Sequence, residues 1–567
     1  MACVRLSMEE MVARVLANRG AGRRQRANRL CVKKFRHFRP DLSVLSLVPV
    51  RRVTHYDAAD LPHQKPFFHT EELPMHPIAR MSLVRVALAA TAVAALASCA
   101  SVPTESASTV LQRADVAMGG TALRSISYAG TGSGATFGQA FEPGMAWPKI
   151  TYSGFSRVAD YENGAFREDA ARSRAEPTGG GAVPLMGTGE QRTTGMLRGN
   201  WAWNMAGPAP IPAPVALDGR THDLWTTPHG VIKAARANNP SITLRTQGGR
   251  TLSAVSFAVP GRFRATALIN ADGIVEQIES VQPHPVSGDT ASVISFSDYR
   301  DVAGVKFPMR IRQNMGGYPV LDLAVNEVKP NSATSFEVPA LVTAAAERVV
   351  SEPAAAGVWF LAGGSHNSVA IELADHMMLV ETPLYDGRSA AVLAEAKKLG
   401  QGKPVRYVVN SHHHFDHSGG LRAAVAEGAT LVTSEMARAY FEQTLANPNR
   451  INPDAMEKSG KKANVTGVSG KRSFTDGSRV VDVYYVEGSV HAQGFMMVHL
   501  PREKILVQAD AYTPGAPNSP PPAVPNALQV NLVQNIERLG LQVERILPLH
   551  GRMVPMSELL AMVGRKG

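Results

Sequence analysis

The sequence predicts an α/β domain over residues 357–567, preceded over residues 110–340 by a β-rich domain built on a curved antiparallel sheet. Two observations predict this. From about residue 110 to 335, short runs of β-branched and aromatic residues are separated by turn signals, with few helical patterns between them. Beyond residue 357 the pattern changes to strands alternating with helices, as βα units require. Composition agrees: of 567 residues, 44% are hydrophobic and 19% charged, an ordinary globular balance.

The N-terminal region comes first. Residues 1–98 carry 16 Lys/Arg against 7 Asp/Glu, leaving 43 against 41 for the rest, so most of the formal charge of +11 sits before residue 99. The bulk of the chain therefore has no broad field for a polyanion, and nucleic acid is not expected as a partner. The cysteines are Cys3, Cys31 and Cys99. Beyond residue 99 this excludes a disulfide framework, a thiolate metal ligand and a sulfur nucleophile.

Arg80 and Arg85 precede an apolar run, Val86 to Ala97, interrupted only by Thr91. A run of this length suits a secretory signal and is short for a bilayer span. It ends in Leu96-Ala97-Ser98-Cys99, which resembles the bacterial lipobox. The resemblance implies a signal peptide over 81–98 and an acylated Cys99 as mature N-terminus. With no acidic residue in Ala100-Ser101, it points to the outer membrane, facing the periplasm. A signal peptide works poorly behind unrelated chain. Residues 1–80 are therefore expected to be a disordered extension, or to precede the true start at Met75 or Met81. Residues 99–109, small and polar, then read as a tether.

Within the β-rich domain, Ala254–Val259 and Arg262–Ile269 read as strands. Ala271-Asp272-Gly273 is a hairpin turn signal before Ile274–Val281, and Val293–Tyr299 and Val320–Val328 continue the series. Gly179-Gly180-Gly181 and the Pro-rich stretch 208–214 read as loops. The stretch Tyr299-Arg300-Asp301-Val302-Ala303-Gly304-Val305-Lys306-Phe307-Pro308 loosely resembles the periplasmic lipoprotein carriers, whose half-barrel holds acyl chains. Without the resemblance, a structural or docking domain explains the same strands. Leu341–Ala356, rich in Ala and holding Pro353, reads as a linker.

In the C-terminal domain, Val358–Leu361, Ser368–Leu373, Met377–Glu381, Val405–Val409, Val480–Val486, Ile505–Gln508 and Arg545–Leu549 read as strands. Arg388–Leu399, Leu421–Ala426, Ser434–Leu445 and Asn526–Leu539 read as helices.

The chemistry concentrates in Asn410-Ser411-His412-His413-His414-Phe415-Asp416-His417-Ser418-Gly419-Gly420. The segment follows a strand and precedes a helix, where α/β folds present ligand-binding groups. His412 and His414 stand two apart, so an extended turn aims both imidazoles at one point, with Asp416 and His417 beside them. Imidazole and carboxylate suit zinc, manganese or iron.

This pattern, His-x-His-x-Asp-His after a strand ending in Asn-Ser, resembles the metallo-β-lactamase superfamily. Further motifs of that family are matched in order by Val486-Glu487-Gly488-Ser489-Val490-His491, Ile505-Leu506-Val507-Gln508-Ala509-Asp510 and Leu547-Pro548-Leu549-His550-Gly551. The resemblance implies an αββα sandwich over 357–567 that holds two divalent metal ions, zinc first, with iron or manganese as alternatives. His412, His414 and His491 would hold one ion. Asp416, His417 and His550 would hold the other, and Asp510 would bridge them. Asp416 would also orient the nucleophile, making it the catalytic candidate.

Two departures from the family pattern stand out. Glu381 occupies the end of an early strand where the family usually has Asp, which bears on the support of the motif loop. The domain also lacks the cysteine that the best-known β-lactam-hydrolysing class places at the Asp510 position. The implied activity is thus hydrolysis of an ester-, lactone-, thioester- or amide-type bond in a small molecule. A β-lactamase proper and a non-enzymatic lipid- or ligand-binding lipoprotein are the alternatives. Specificity is expected in loops such as Ala511–Val524. Among the remaining histidines, His366 lies where the family's early loop approaches the site and reads first as a surface-loop residue, with substrate contact as the alternative; His413 reads as pointing away from the ligands, and His376 and His499 as structural. Lys458, Lys461 and Lys462 read as a solvated face.

Overall fold

The computed structural model describes residues 105–175, 189–333 and 336–565, all within one compact unit. The expectations for residues 1–80, the signal peptide, Cys99 and the Gly179-Gly180-Gly181 loop lie outside the described residues.

Ser106 caps the first helix, α1 (Ala107–Ala117), its hydroxyl accepting from the Thr109 amide. The tether expected to reach residue 109 therefore gives way to helix at Ala107. Val110, Leu111 and Ala114 share one face of α1 and are buried, and burying that stripe overrides the polar look of the flanking residues.

The next elements build one antiparallel sheet. Its first half is β1 (Ser125–Ala135), β2 (Lys149–Asp160), β3 (Ala165–Arg174), β4 (Gln191–Arg198), β5 (Trp201–Ala206) and β6 (Ala209–Pro212). The second half is β7 (Ser241–Gln247), β8 (Arg250–Val259), β9 (Phe263–Ile269), β10 (Val275–His284), β11 (Gly288–Val302), β12 (Val305–Met315) and β13 (Tyr318–Pro330). Each half is a meander. The halves join where β1 pairs with β13, Ile126 opposite Pro330, and the sheet is open, with β6 and β7 at its edges.

Two helices between the halves, α2 (Leu217–Trp225) and α3 (Pro228–Ala237), escape a sequence reading that finds few helical patterns here. Thr227 caps α3 and Pro228 occupies its first turn. That punctuation divides the stretch into helices too short to show a clear period. Leu224, Val231 and Ile232 from these helices join Val110 and Leu111 of α1 against Tyr128, Phe166, Phe263 and Phe307 of the sheet. Each fully buried aromatic side chain there contributes about 2–3 kcal/mol.

The stretch 341–356, expected as a linker, opens within a helical turn, Ala340–Thr343, whose Val342 is buried with Met196 and Trp203, and holds a strand in its second half. Val350–Ala355 is strand β14, antiparallel to β15 (Val358–Ala362) with Ser351 opposite Leu361. Pro353 disguises it in the sequence. At a sheet edge the missing N–H is tolerated, because that side of the strand has no neighbour. The C-terminal domain accordingly begins near Val350, not at 357.

From there β14 and β15 continue into β16 (Ser368–Glu372), β17 (Met377–Val380), β18 (Val405–Val409), β19 (Thr430–Ser434) and β20 (Asn464–Val468), a seven-stranded sheet in that order. The last four strands are parallel. A second, six-stranded sheet runs β21 (Lys471–Thr475), β22 (Val480–Tyr485), β23 (Met496–Leu500), β24 (Ile505–Gln508), β25 (Arg545–Pro548) and β26 (Val554–Pro555). The helices of this domain include α4 (Asp386–Leu399), α5 (Phe415–Ser418), α6 (Leu421–Glu427), α7 (Glu435–Ala446), α8 (Ala527–Arg538) and α9 (Met556–Met562), with a short turn of helix at Ala455–Ser459.

Alternation along the strands decides which residue meets which neighbour. Met378, Val380 and Val409 cluster with Val481, Val483, Val498 and Val507 of the second sheet, and Leu532, Ile536 and Leu559 of α8 and α9 join them. Leu379, Val408 and Leu431 turn the other way and meet Val392, Leu393, Ala424 and Phe441 of α4, α6 and α7. Apolar residues on both faces explain why these strands read as continuous hydrophobic runs. Among the described residues, no helix is long and apolar enough to cross a membrane.

Candidate metal centre

Strand ends deliver the polar residues to one place. In the first sheet Val380 lies beside Val409, so the chain leaves β17 at Glu381 next to the loop that leaves β18 at Asn410. In the second sheet Gln508 lies beside Pro548 in parallel register. Asp510 and His550, each two residues further on, therefore emerge side by side. The motif loop folds back on itself: Asn410 Nδ2 donates to the His417 carbonyl at 3.2 Å, and His414 stands at the N-cap of α5, which carries His417.

All seven residues expected as ligands converge. Asp510 Oδ2 lies 2.8 Å from His417 Nε2, 3.1 Å from His491 Nε2 and 3.2 Å from His412 Nε2, while its Oδ1 lies 3.0 Å from His550 Nε2. Among the described residues, besides a trio of Glu381, His412 and His417, two groups of four can be drawn whose nitrogen and oxygen atoms all lie within 4.8 Å of one another. One holds His412, His414, His491 and Asp510, the other His366, Asp416, His417 and His550. The carboxylate of Asp510 faces members of both.

The electrostatics of this cluster suit a cation. Burial, reinforced by neighbouring imidazoles, holds His412 and His414 well below the ordinary histidine value, so each is neutral with a lone pair to offer. Burial pushes the carboxyls of Asp416 and Asp510 up. The imidazoles around them, His417 foremost, outweigh it and hold both well below the usual carboxylate range. Burial likewise pushes His417 down, but Glu381, Asp510 and Asp416 together drive it well above its ordinary value. Three buried or half-buried carboxylates thus meet imidazoles as their charge partners among the described residues. A buried excess of negative charge is costly unless a cation compensates it. His414 Nδ1 and His491 Nδ1 are buried without a hydrogen-bond partner among the described residues. The donor set is nitrogen and oxygen without sulfur, as zinc, iron or manganese accept.

Residues 361–516 match the family model for the metallo-beta-lactamase superfamily. The C-terminal part of this chain carries a metallo-beta-lactamase superfamily domain. A curated relative, 2,4-dinitroanisole O-demethylase subunit alpha from Nocardioides sp. (strain JS1661), is 24% identical over 203 residues, spanning 36% of this chain and 57% of the relative. Similar solved structures include a metallo-beta-lactamase from Pontibacter korlensis, 18% identical, covering 38% of this chain and 98% of that one at a TM-score of 0.30. Another is the metallo-beta-lactamase FIM-1 from Pseudomonas aeruginosa in its mono-zinc form, also 18% identical, covering 38% and 93% at 0.29.

Within the superfamily domain, one residue behaves differently from its sequence reading. His366 is buried, not a surface-loop residue, and its Nε2 lies 3.1 Å from Asp416 Oδ2. Neighbours turn its loop inward. Asn367 donates from its amide to the Leu549 carbonyl and from Nδ2 to the Gly551 carbonyl, pinning the loop beside His550. The buried Arg388 guanidinium donates to the carbonyls of Arg348 and Ala362 beneath it. The signal available in the sequence was Asn367 directly after His366, a side chain able to tie a loop to a neighbouring strand end.

Glu381 does bear on the motif loop. It is fully buried, its Oε2 lies 2.6 Å from His417 Nδ1, and its Oε1 accepts from the Ser411 amide and hydroxyl. His413 stays outside both groups, with its Nε2 on the Ala140 carbonyl at 2.8 Å. His376 pairs with Asp375, and His499 donates to the Gln542 carbonyl, both far along the strands from the cluster. The sequence reading missed a contribution from the other domain: Gln139 Nε2 donates to Asp416 Oδ1 at 2.8 Å.

Proposed function

We propose that this protein is a metal-dependent hydrolase of small molecules carrying an ester-, lactone-, thioester- or amide-type bond. The observation that carries the reading is the Asp510 carboxylate, set between two groups of imidazole and carboxylate ligands. The two sheets with helix contacts on each are read as the four-layer αββα sandwich. His412, His414 and His491 would hold one divalent ion, Asp416, His417 and His550 the other, and Asp510 both. Zinc is the first candidate, iron or manganese the next. When bound, such a pair supplies Lewis acidity that polarises a carbonyl oxygen and acidifies water.

The chain's own groups do the rest. Asp416, held ionised with Gln139 on Oδ1 and His366 on Oδ2, orients the attacking water. Glu381 fixes His417 through Nδ1, which leaves Nε2 turned toward Asp510. The loop Ala511–Val524 starts at Asp510 and passes His550, where Arg552 donates to the Gly515 carbonyl. This placement supports it as the region that selects substrate.

The test is elemental analysis of the full chain, expected to give about two ions per molecule, followed by a turnover screen of lactones, thioesters, esters, phosphodiesters and β-lactams. The screen includes 2,4-dinitroanisole, after which the similar O-demethylase subunit is named. Metal-free protein that turns over none of these after loading would sink the reading. We also propose export and lipid anchoring through Cys99, supported by the apolar run and lipobox-like ending of the leader. Mass spectrometry of the mature chain should show a diacyl or triacyl glyceryl-cysteine there, and two or more chains would anchor it firmly.

A further inference from the structure

We propose that the loop between β1 and β2, residues 136–148, is a working part of the metal centre. In it Gln139 positions Asp416, and the Ala140 carbonyl positions His414. The proposal rests on the metal-dependent reading above. The loop belongs to the N-terminal sheet yet reaches into the C-terminal domain. The Gly138 carbonyl accepts from the Phe415 amide at 3.2 Å, and the Phe141 carbonyl accepts from the Gln493 amide at 2.8 Å. Between these ties lie Gln139 and Ala140, both buried.

A carbonyl oxygen only accepts hydrogen bonds. Both imidazoles that meet the Ala140 oxygen, His413 at 2.8 Å and His414 at 2.9 Å, must therefore carry their proton on Nε2. Neutral His414 is left with its lone pair on Nδ1, the nitrogen that is buried and unpartnered among the described residues. One backbone oxygen thus selects which nitrogen of His414 is offered to an ion. It also gives His413, which lies outside both ligand groups, a reason to be histidine.

Gln139 acts on the other group. Asp416 is ionised and only accepts, so Gln139 presents its amide N–H to Oδ1 and leaves Oδ2 facing His366 and His417. The Gln139 Oε1 is then buried without a partner among the described residues. A residue needed only for packing would not place an unpaired amide oxygen there.

The loop is held in register. Gly138 has φ +79°, and a Cβ on it would overlap the Phe415 ring. Phe137 stands edge-on to Phe415 at 5.2 Å and to Trp147 at 4.3 Å. Phe415 lies between His414 and Asp416 in the chain, so the loop grips the motif at its centre.

The experiment uses the full-length protein loaded with zinc alone and challenged with a chelator, with melting temperatures recorded for the metal-free forms. Gln139→Met keeps the side-chain volume and removes the donor, and Gln139→Ala removes both. Each is expected to release one of the two ions about ten- to a hundredfold more readily, with metal-free melting close to wild type. Glu142→Ala, which removes the side-chain hydrogen bond from Gln493 Nε2 and leaves the Phe141 tie in place, should retain zinc as wild type does. Normal zinc retention in Gln139→Met overturns the proposal, including the case where Gln139→Ala alone is impaired, since that would assign Gln139 to packing. A wild-type chain that binds no zinc would instead overturn the metal-dependent reading itself.

Discussion

Asp510 shows best how one side chain organises the centre. Its two oxygens divide four imidazoles between them, and burial alone would drive the carboxyl toward protonation. Asp510→Asn keeps the shape and removes the anion. It is expected to weaken one ion more than the other and to lower turnover by a few orders of magnitude, about 3–5 kcal/mol of barrier. A turn residue at this position would cost about 1 kcal/mol of stability or less and spare turnover. Metal titration and turnover on one preparation distinguish the two, and full occupancy with near-normal rate would remove Asp510 from the site. At this scale the sequence was legible wherever a residue sat in a spaced motif, as His412, His414, Asp416 and His417 do. It was opaque for His366 and Gln139, whose roles depend on loops turned inward by contacts remote in sequence: Asn367 on β25 in one case, Phe415 on Gly138 in the other.

Among the elements, α6 depends on close approach at its start. A Cβ on Gly420 would overlap the Ser389 side chain of α4, and one on Gly419 would overlap the Leu384 carbonyl. Ser389 cannot swing aside freely, because its buried hydroxyl donates to the Pro383 carbonyl at 2.9 Å. Gly420→Ala is therefore expected to push α6 from α4 at a cost of about 1–3 kcal/mol, read as a lower melting temperature. An unchanged melt would show that the helix start has room to move. Elements with a strong period were readable, α4 and α8 among them. Strand β14 was hidden by Pro353, and α2 and α3 by their shortness and the Thr227-Pro228 break. In each case tertiary burial, of Ala354 in the core shared by the two sheets or of Val231 in the N-terminal core, supplies what local pattern lacks.

Among the described residues, hydrogen bonds join the two domains at two places, and the region between them should respond to acid. Besides the loop 136–148, the turn after β10 reaches the C-terminal domain. Asp289 accepts from the amides of Arg450 and Ile451, and its own amide donates to the Pro448 carbonyl at 2.7 Å. Between the two ties stands His284, its ring 4.8 Å from that of Phe415 and 5.1 Å from that of Phe137. Its Nδ1 accepts from the amides of Val286 and Ser287, each at 3.2 Å, which a protonated Nδ1 cannot do. Burial pushes this imidazole from 6.5 down to about 4. In the unfolded chain the ring binds a proton below about pH 6.5, whereas in the folded chain it resists until about pH 4. The unfolded state thus holds more protons in that window, and stability falls as pH falls through it. His229, packed in the N-terminal core and likewise pushed down to about 4 by burial, adds a similar slope, so the interface contribution has to be isolated by substitution. Asn at position 284 offers an uncharged oxygen near the Nδ1 position that can accept from the same turn amides. His284→Asn should therefore match wild type near pH 7.5 and lose less stability between pH 6.5 and 4, measured by denaturant unfolding at matched pH values. Parallel slopes for the two proteins would mean that the ring takes up its proton without disturbing the join, and that acid sensitivity resides elsewhere.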